Sequence, residues 1–212
     1  LNNVTLLKHP VVSDRLTTLR HRDTEIELFR RALRELGFFL AMEATSKLPL
    51  VKSRVVTPLG IEVDSEELDS AKVLLAPILR AGLGFVESFL ELVPRAKIAH
   101  IGISRDHDTL KAMPYLNSLP GNPEYFDAIF MLDPMLATGN SAVKALEILT
   151  EGGFKPEKII LVCAFAVQEG IKQVYEKFPA VHIVTATVDW SLNDLGYIVP
   201  GLGDAGDRLY LI

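Results

Sequence analysis

The sequence has 212 residues, 49% hydrophobic and 23% charged, which excludes disordered, collagen-like and coiled-coil classes and fits one large globular body. Its 27 acidic against 22 basic side chains leave a formal charge of -5, so no global positive field is available to hold nucleic acid or an anionic membrane surface. No apolar run approaches the roughly 20 residues of a bilayer span, and the start Leu1-Asn2-Asn3-Val4 lacks a secretory pattern, so a soluble cytoplasmic protein is expected. Residue 1 is not Met, and a few native residues are expected to precede it.

In chain order, Ile26, Phe29, Leu33, Leu36 and Leu40 recur at spacings of three and four and predict an amphipathic helix over about 24–44. Thr24 and Glu27 are spaced for a reciprocal cap at its start. Residues 53–57 and 61–63 alternate around the turn signal Pro58-Leu59-Gly60 and predict a small hairpin. From Lys72 the rhythm changes to apolar strand, loop, helix. Strands are predicted over 73–79, 98–103, 128–132, 159–165 and 182–188, and helices from about Gly84, Gly139 and Glu169. Strands so uniformly apolar belong to a parallel sheet covered on both faces. The expected fold is therefore α/β, with a five-stranded parallel sheet, flanking helices, and a ligand at the strands' carboxyl ends.

The single cysteine, Cys163, falls inside the fourth strand and reads as a core thiol in a reducing compartment. Segment 105–126, broken by Pro114, Pro120, Gly121 and Pro123, is too long for filler and reads as a functional arm or lid. The tail after Val188 is rich in Gly, Asp and Pro and shows no helix. No repeat or linker divides the chain, so 1–212 reads as one domain: a helical segment and hairpin over 1–71, a core over 72–190 and a tail over 191–212.

Three segments carry chemistry. Asp133-Pro134-Met135-Leu136-Ala137-Thr138-Gly139-Asn140-Ser141 joins a strand to a helix whose apolar stripe includes Ala142, Leu146 and Leu149. Backbone N–H groups and hydroxyls at such a turn can cradle a phosphate, and the helix dipole favours the anion. The Asp133 carboxylate repels phosphate and suits sugar hydroxyls instead. Taken alone, the segment reads equally as a Ser/Thr-capped helix start. Arg80, in Arg80-Ala81-Gly82 at a strand end, can grip phosphate oxygens with its forked guanidinium, or can be a surface arginine before a helix. Gly201-Leu202-Gly203-Asp204-Ala205-Gly206 satisfies G-x-G-x-x-G, yet only six residues follow it, too few for a dinucleotide site. Its glycines can instead offer backbone donors and acceptors to the edge of a flat base. The five histidines are scattered, without metal-ligand spacing.

The run 129–140 resembles the phosphoribosyl-diphosphate motif of the type I phosphoribosyltransferases, and Pro134 in place of the second acidic residue resembles the uracil phosphoribosyltransferases in particular. Three further segments are similar to that family, in the same order: Glu43-Ala44-Thr45, Pro77-Ile78-Leu79-Arg80-Ala81-Gly82-Leu83-Gly84, and the tail from Gly196 to Asp207. The resemblance implies a type I phosphoribosyltransferase-like fold with a β-arm and a C-terminal base-binding hood. It implies transfer of the 5-phosphoribosyl group from 5-phospho-α-D-ribose 1-diphosphate (PRPP) to N1 of uracil, giving UMP and diphosphate in pyrimidine salvage.

By the same resemblance, PRPP is bound by Arg80, Arg105, Asp133, Pro134, Met135, Leu136, Ala137, Thr138, Gly139, Asn140, Ser141 and Asp204. Arg105 and Asp204 take catalytic roles, and Ile198, Gly203, Asp204 and Ala205 form the uracil pocket. Mg²⁺ enters bound to substrate, with no protein metal site. A homodimer or larger homo-oligomer, GTP activation in some members, and a non-proline cis peptide at Arg80–Ala81 are implied as well. Ser104 departs from the family, which usually has an aromatic residue there, and Asn140 departs from the more common Gly. Another base, or a regulatory RNA-binding homologue, is the alternative; a charge of -5 argues against RNA.

Overall fold

The computed structural model describes residues 3–105 and 112–211; for Arg105 it describes the backbone only, and all structural statements refer to this set. The first part holds β1 (Val4–Leu6), α1 (Pro10–Arg20), α2 (Ile26–Thr45) and a hairpin of β2 (Leu50–Val56) and β3 (Glu62–Leu68). The centre holds β4 (Val73–Leu79), α3 (Val86–Leu92), β5 (Lys97–Ile98), β6 (Ile101–Arg105), β7 (Ala112–Asn117), β8 (Ala128–Leu132), β9 (Met135–Leu136), α4 (Asn140–Glu151), β10 (Ile159–Val167) and α5 (Gln168–Lys177). Last come β11 (His182–Asp189), β12 (Ser191–Leu192), β13 (Ile198–Val199) and α6 (Ala205–Tyr210).

The apolar strands sit where their composition requires, in the middle of one sheet ordered β1-β11-β10-β8-β4-β6-β7, with β5 added to β4 and β9 to β10. All pairings are parallel except β6 with β7. The five expected strands are present, with three additions, among them the two-residue β9 beside β10, and one division. The three-residue β1 adds a parallel edge, β7 adds an antiparallel one, and the strand expected over 98–103 divides into β5 and β6 around Ala99, whose N–H bonds the Leu75 carbonyl at 2.9 Å.

Alternation along β8 shows how the sheet divides the core. Ala128, Phe130 and Leu132 pack on the side of Phe29, Leu33, Leu36 and Leu40 from α2. Ile129 and Met131 pack on the other side, with Ala142, Leu146 and Leu149 from α4. Burying each such leucine contributes about 2 kcal/mol, so the stripe on α2 accounts for its helix better than any cap does. The expected cap is not formed. α2 begins at Ile26 and its N-cap Glu25 makes no side-chain bond, because the Thr24 hydroxyl donates instead to the Thr18 carbonyl at 2.7 Å and ties α2 to α1.

Cys163 is fully buried, and desolvation pushes its thiol up to about 12, as a core position requires. The tail does contain a helix. α6 spans six residues, too few for an apolar period to show, and is capped by the Asp204 carboxylate accepting from the Asp207 N–H at 2.9 Å. No helix among the described residues is long and apolar enough to cross a membrane.

Candidate active site

The carboxyl ends of β4 and β8, the arm and the tail surround a cleft of about 750 Å³. Three loops deliver its polar wall. The first follows β8. Its backbone is pinned to β10: Asp133 N–H donates to the Val162 carbonyl at 3.1 Å, and the Pro134 carbonyl accepts from Ala164 and Phe165 N–H at 3.0 Å each. Gly139 then turns the chain into α4 with φ of 85°, a left-handed geometry that favours glycine. Beneath the turn lies Gly170 of α5, where a Cβ would meet the Ala137 carbonyl at 2.3 Å. The result is a stiff loop that leads directly into the N-terminus of a twelve-residue helix, where the helix dipole favours an anion.

The second loop follows β4. The peptide between Leu79 and Arg80 is cis, and that between Arg80 and Ala81 is trans, so the inverted bond lies one residue earlier than expected. The sequence pattern marks the loop but carries no local signal for which of its bonds is inverted. Past Arg80 the chain makes an ordinary tight turn, with Leu83 N–H donating to the Arg80 carbonyl at 3.2 Å. Gly82 is forced: a Cβ there would stand 2.2 Å from the Leu132 carbonyl. The half-exposed Arg80 guanidinium lies 4.0 Å from the Asp207 carboxylate. The Tyr210 hydroxyl donates to the Arg80 carbonyl at 3.1 Å. Burial pushes the Tyr210 phenol up, against the opposing pull of Arg30 and Arg80, so it stays a protonated donor at neutral pH.

The third loop is the hood between β13 and α6, with Gly201 and Gly203 at φ of 55° and 84°. Ile198, Gly203, Asp204 and Ala205 all reach the cleft from it.

Of the residues singled out in the sequence, Arg80, Asp133, Met135, Leu136, Ala137, Thr138, Gly139, Ser141, Ile198, Gly203, Asp204 and Ala205 line this one cleft. Pro134 and Asn140 do not. Pro134 is turned toward β10, and the Asn140 side chain accepts from the Gln173 amide at 2.7 Å. The Arg105 backbone closes β6 opposite Ala112, and its side chain lies outside the described residues. Ile103 and Leu195 line the cleft without having been anticipated, and Asp207, which ends the tail segment that starts at Gly196, lines it without having been assigned a role. Ile103 and Leu195 look like ordinary apolar residues in the sequence, and Asp207 reaches the site only because α6 turns it there.

A parallel sheet with a phosphate-type loop, an arginine loop and a separate hood is the arrangement of the type I phosphoribosyltransferases. Solved adenine phosphoribosyltransferases of Leishmania donovani (TM-score 0.58, 10% identity, 91% of this chain and 86% of that one) and Trypanosoma brucei (0.55, 12%, 96% and 89%) share its fold. A solved Aquifex aeolicus protein matches at a TM-score of 0.90 and 39% identity, covering 99% of this chain and 98% of that one. In sequence, the uracil phosphoribosyltransferase of Rhizobium meliloti (strain 1021) is 46% identical over 210 residues, 99% of each chain, and that of Limosilactobacillus fermentum 44% over 205 residues, 97% and 96%. The family model for uracil phosphoribosyltransferase matches residues 6–211. The chain belongs to the uracil phosphoribosyltransferase family.

Proposed function

We propose that this protein transfers the 5-phosphoribosyl group of PRPP to N1 of uracil, releasing UMP and diphosphate. One observation carries the reading: a single cleft joins an anion-suited helix N-terminus, an arginine at a strand end and a glycine-rich backbone turn. Those are the complements of a 5′-phosphate, a diphosphate and a flat base.

In the reaction the C1′–O bond to diphosphate breaks as N1 of uracil bonds to C1′ and N1 releases its proton to water, through an oxocarbenium-like ribose akin to that of glycoside hydrolysis. No enzyme nucleophile is needed, so the protein's work is alignment and charge stabilisation. The loop from Thr138 to Ser141 holds the 5′-phosphate by its N–H groups and hydroxyls. Asp133, at the strand end, accepts from the ribose hydroxyls. Arg80 and Arg105 take the charge that builds on diphosphate. The peptides of Gly203 and Ala205 read the base edge beside Ile198, and Asp204 stands where base and ribose meet.

Asp133 faces the same cleft as Arg80, and its carboxylate would stand beside a Mg²⁺ carried in on substrate oxygens. When bound, that ion neutralises charge on the leaving diphosphate.

Two partners belong to the same reading. A homo-oligomer would cover the hairpin of β2 and β3, which pairs only with itself and exposes Val56, Leu59 and Ile61, a state marginal in water. GTP as an activator has a candidate seat in a second cavity of about 400 Å³, lined by Arg30, Arg31 and Arg34 together with Glu27 and Glu87. The protein works in the cytoplasm on this reading, where Cys163 stays reduced.

Asp133→Asn should raise the apparent KM for PRPP or lower turnover by roughly tenfold, the worth of one charge-assisted hydrogen bond. Unchanged kinetics would remove Asp133 from the ribose site. The reading as a whole is tested by offering uracil, cytosine, hypoxanthine and orotate with PRPP. Uracil should be the base consumed, and preference for any other would reject it.

A further inference from the structure

We propose that Arg20 and Asp189 are positioning residues for the base, together holding both the N–H and the carbonyl of Gly201 and so setting the hood turn. The inference rests on the reading of the hood as a uracil site.

Arg20 ends α1 and Asp189 ends β11, and they meet across 169 positions of sequence. The guanidinium binds both carboxylate oxygens, Nη1 to Oδ2 at 2.7 Å and Nη2 to Oδ1 at 2.5 Å, and lies over the Phe165 ring at 4.8 Å. The Asp189 side chain is only 3% exposed. Asp189 Oδ1 also accepts from the Thr187 hydroxyl at 3.4 Å, and both partners of the ion pair then bind Gly201. Gly201 N–H donates to Asp189 Oδ2 at 2.9 Å, and Arg20 Nη1 donates to the Gly201 carbonyl at 3.0 Å. Gly201 has left-handed φ, and a Cβ there would lie 2.1 Å from the Ile198 carbonyl. The neighbouring Leu202 carbonyl is held by Arg208 at 3.1 Å.

A glycine turn has no side chains of its own to anchor it. Its peptide dipoles are aimed only as well as something else holds them, and recognition through such groups tolerates errors of roughly 0.5 Å. The ion pair supplies that hold without entering the cleft, since neither Arg20 nor Asp189 lines it, whereas Ile198, Gly203, Asp204 and Ala205, on either side of Gly201, do. A pair that served stability alone would have no need to take both the donor and the acceptor of the same glycine. The geometry therefore assigns base affinity, and not only folding, to two residues that never touch the base.

The test is steady-state kinetics of Arg20→Lys and Asp189→Asn against both substrates. Lysine cannot span two carboxylate oxygens and a carbonyl, and asparagine presents a donor where one is already present. The KM for uracil should rise roughly tenfold or more, as small misplacements do, with the KM for PRPP rising far less, since the hood meets that substrate through Asp204 alone. An unchanged uracil KM, or equal rises for both substrates, would overturn the proposal. If neither variant folds, hydrogen exchange in the wild-type protein decides: the Gly201 amide should be as protected as those of β11, and exchange at the rate of an open loop would overturn it. A wild-type protein that makes no UMP counts against the uracil reading, while the exchange result still judges the grip itself.

Discussion

Arg80→Ala should lower kcat/KM for PRPP by roughly 10²- to 10³-fold, the usual cost of removing one preorganised donor from a site of developing negative charge. The side chain stands at the carboxyl end of β4, and its loop is fixed from two directions. The Tyr210 hydroxyl bonds the Arg80 carbonyl, and Gly82 is pressed against the end of β8. Removing the guanidinium leaves that backbone in place, so the loss should fall on PRPP and not on uracil. Stability should change little, because Arg80 is half exposed and its 4.0 Å pairing with Asp207 is of the solvent-screened kind. Arg80→Lys should recover part of the loss, since it keeps the charge without the fork. Wild-type kinetics in Arg80→Ala would take the arginine out of the diphosphate site.

A larger combined effect is expected from Gly82→Ala, one methyl group in size. The added Cβ would stand 2.2 Å from the Leu132 carbonyl, a backbone atom that cannot swing aside. Either the arginine loop lifts away or the end of β8 moves, and Asp133 follows Leu132 directly in the chain. Overpacking of this kind costs about 1–3 kcal/mol or more, which for a chain of this size lowers Tm by roughly 2–4 °C per kcal/mol. Because one shift displaces residues on both sides of the cleft, kcat/KM for PRPP should fall by about 10²-fold as well. Gly60→Ala is the control. Gly60 has φ of 74° in the hairpin turn with nothing within 4 Å, so its replacement should cost about 1 kcal/mol and leave the kinetics alone. Calorimetry and kinetics on the two variants separate a contact effect from a backbone effect.

What the sequence made legible was local. The apolar strands, the stripe of α2 and the small-residue loop after β8 are each contiguous, so their patterns survive in one dimension. Asp133 and Thr138, which line the cleft, stand out in the sequence because strand, turn and helix follow one another without interruption. Sheet order was not legible, since strands apolar at every position carry no mark of their neighbours. The three-residue β1 and six-residue α6 are shorter than any period that could announce them. Thr24 has the spacing of a cap, yet a tertiary partner, the Thr18 carbonyl, claims its hydroxyl. Asp207 reaches Arg80 across the fold, and Arg20 reaches Asp189 over 169 positions; neither meeting leaves a local trace. The family resemblance bridged part of this distance by bringing the tail and the strand ends into one site, and the cleft joins twelve of those residues.

The most direct measurement follows uracil, PRPP and Mg²⁺ with the protein by ³¹P and ¹H NMR. PRPP should disappear as diphosphate and UMP rise in equal amounts, with the ribose anomeric proton of UMP showing attachment at N1. Intact PRPP, or its hydrolysis to ribose 5-phosphate and diphosphate without UMP, would contradict the account.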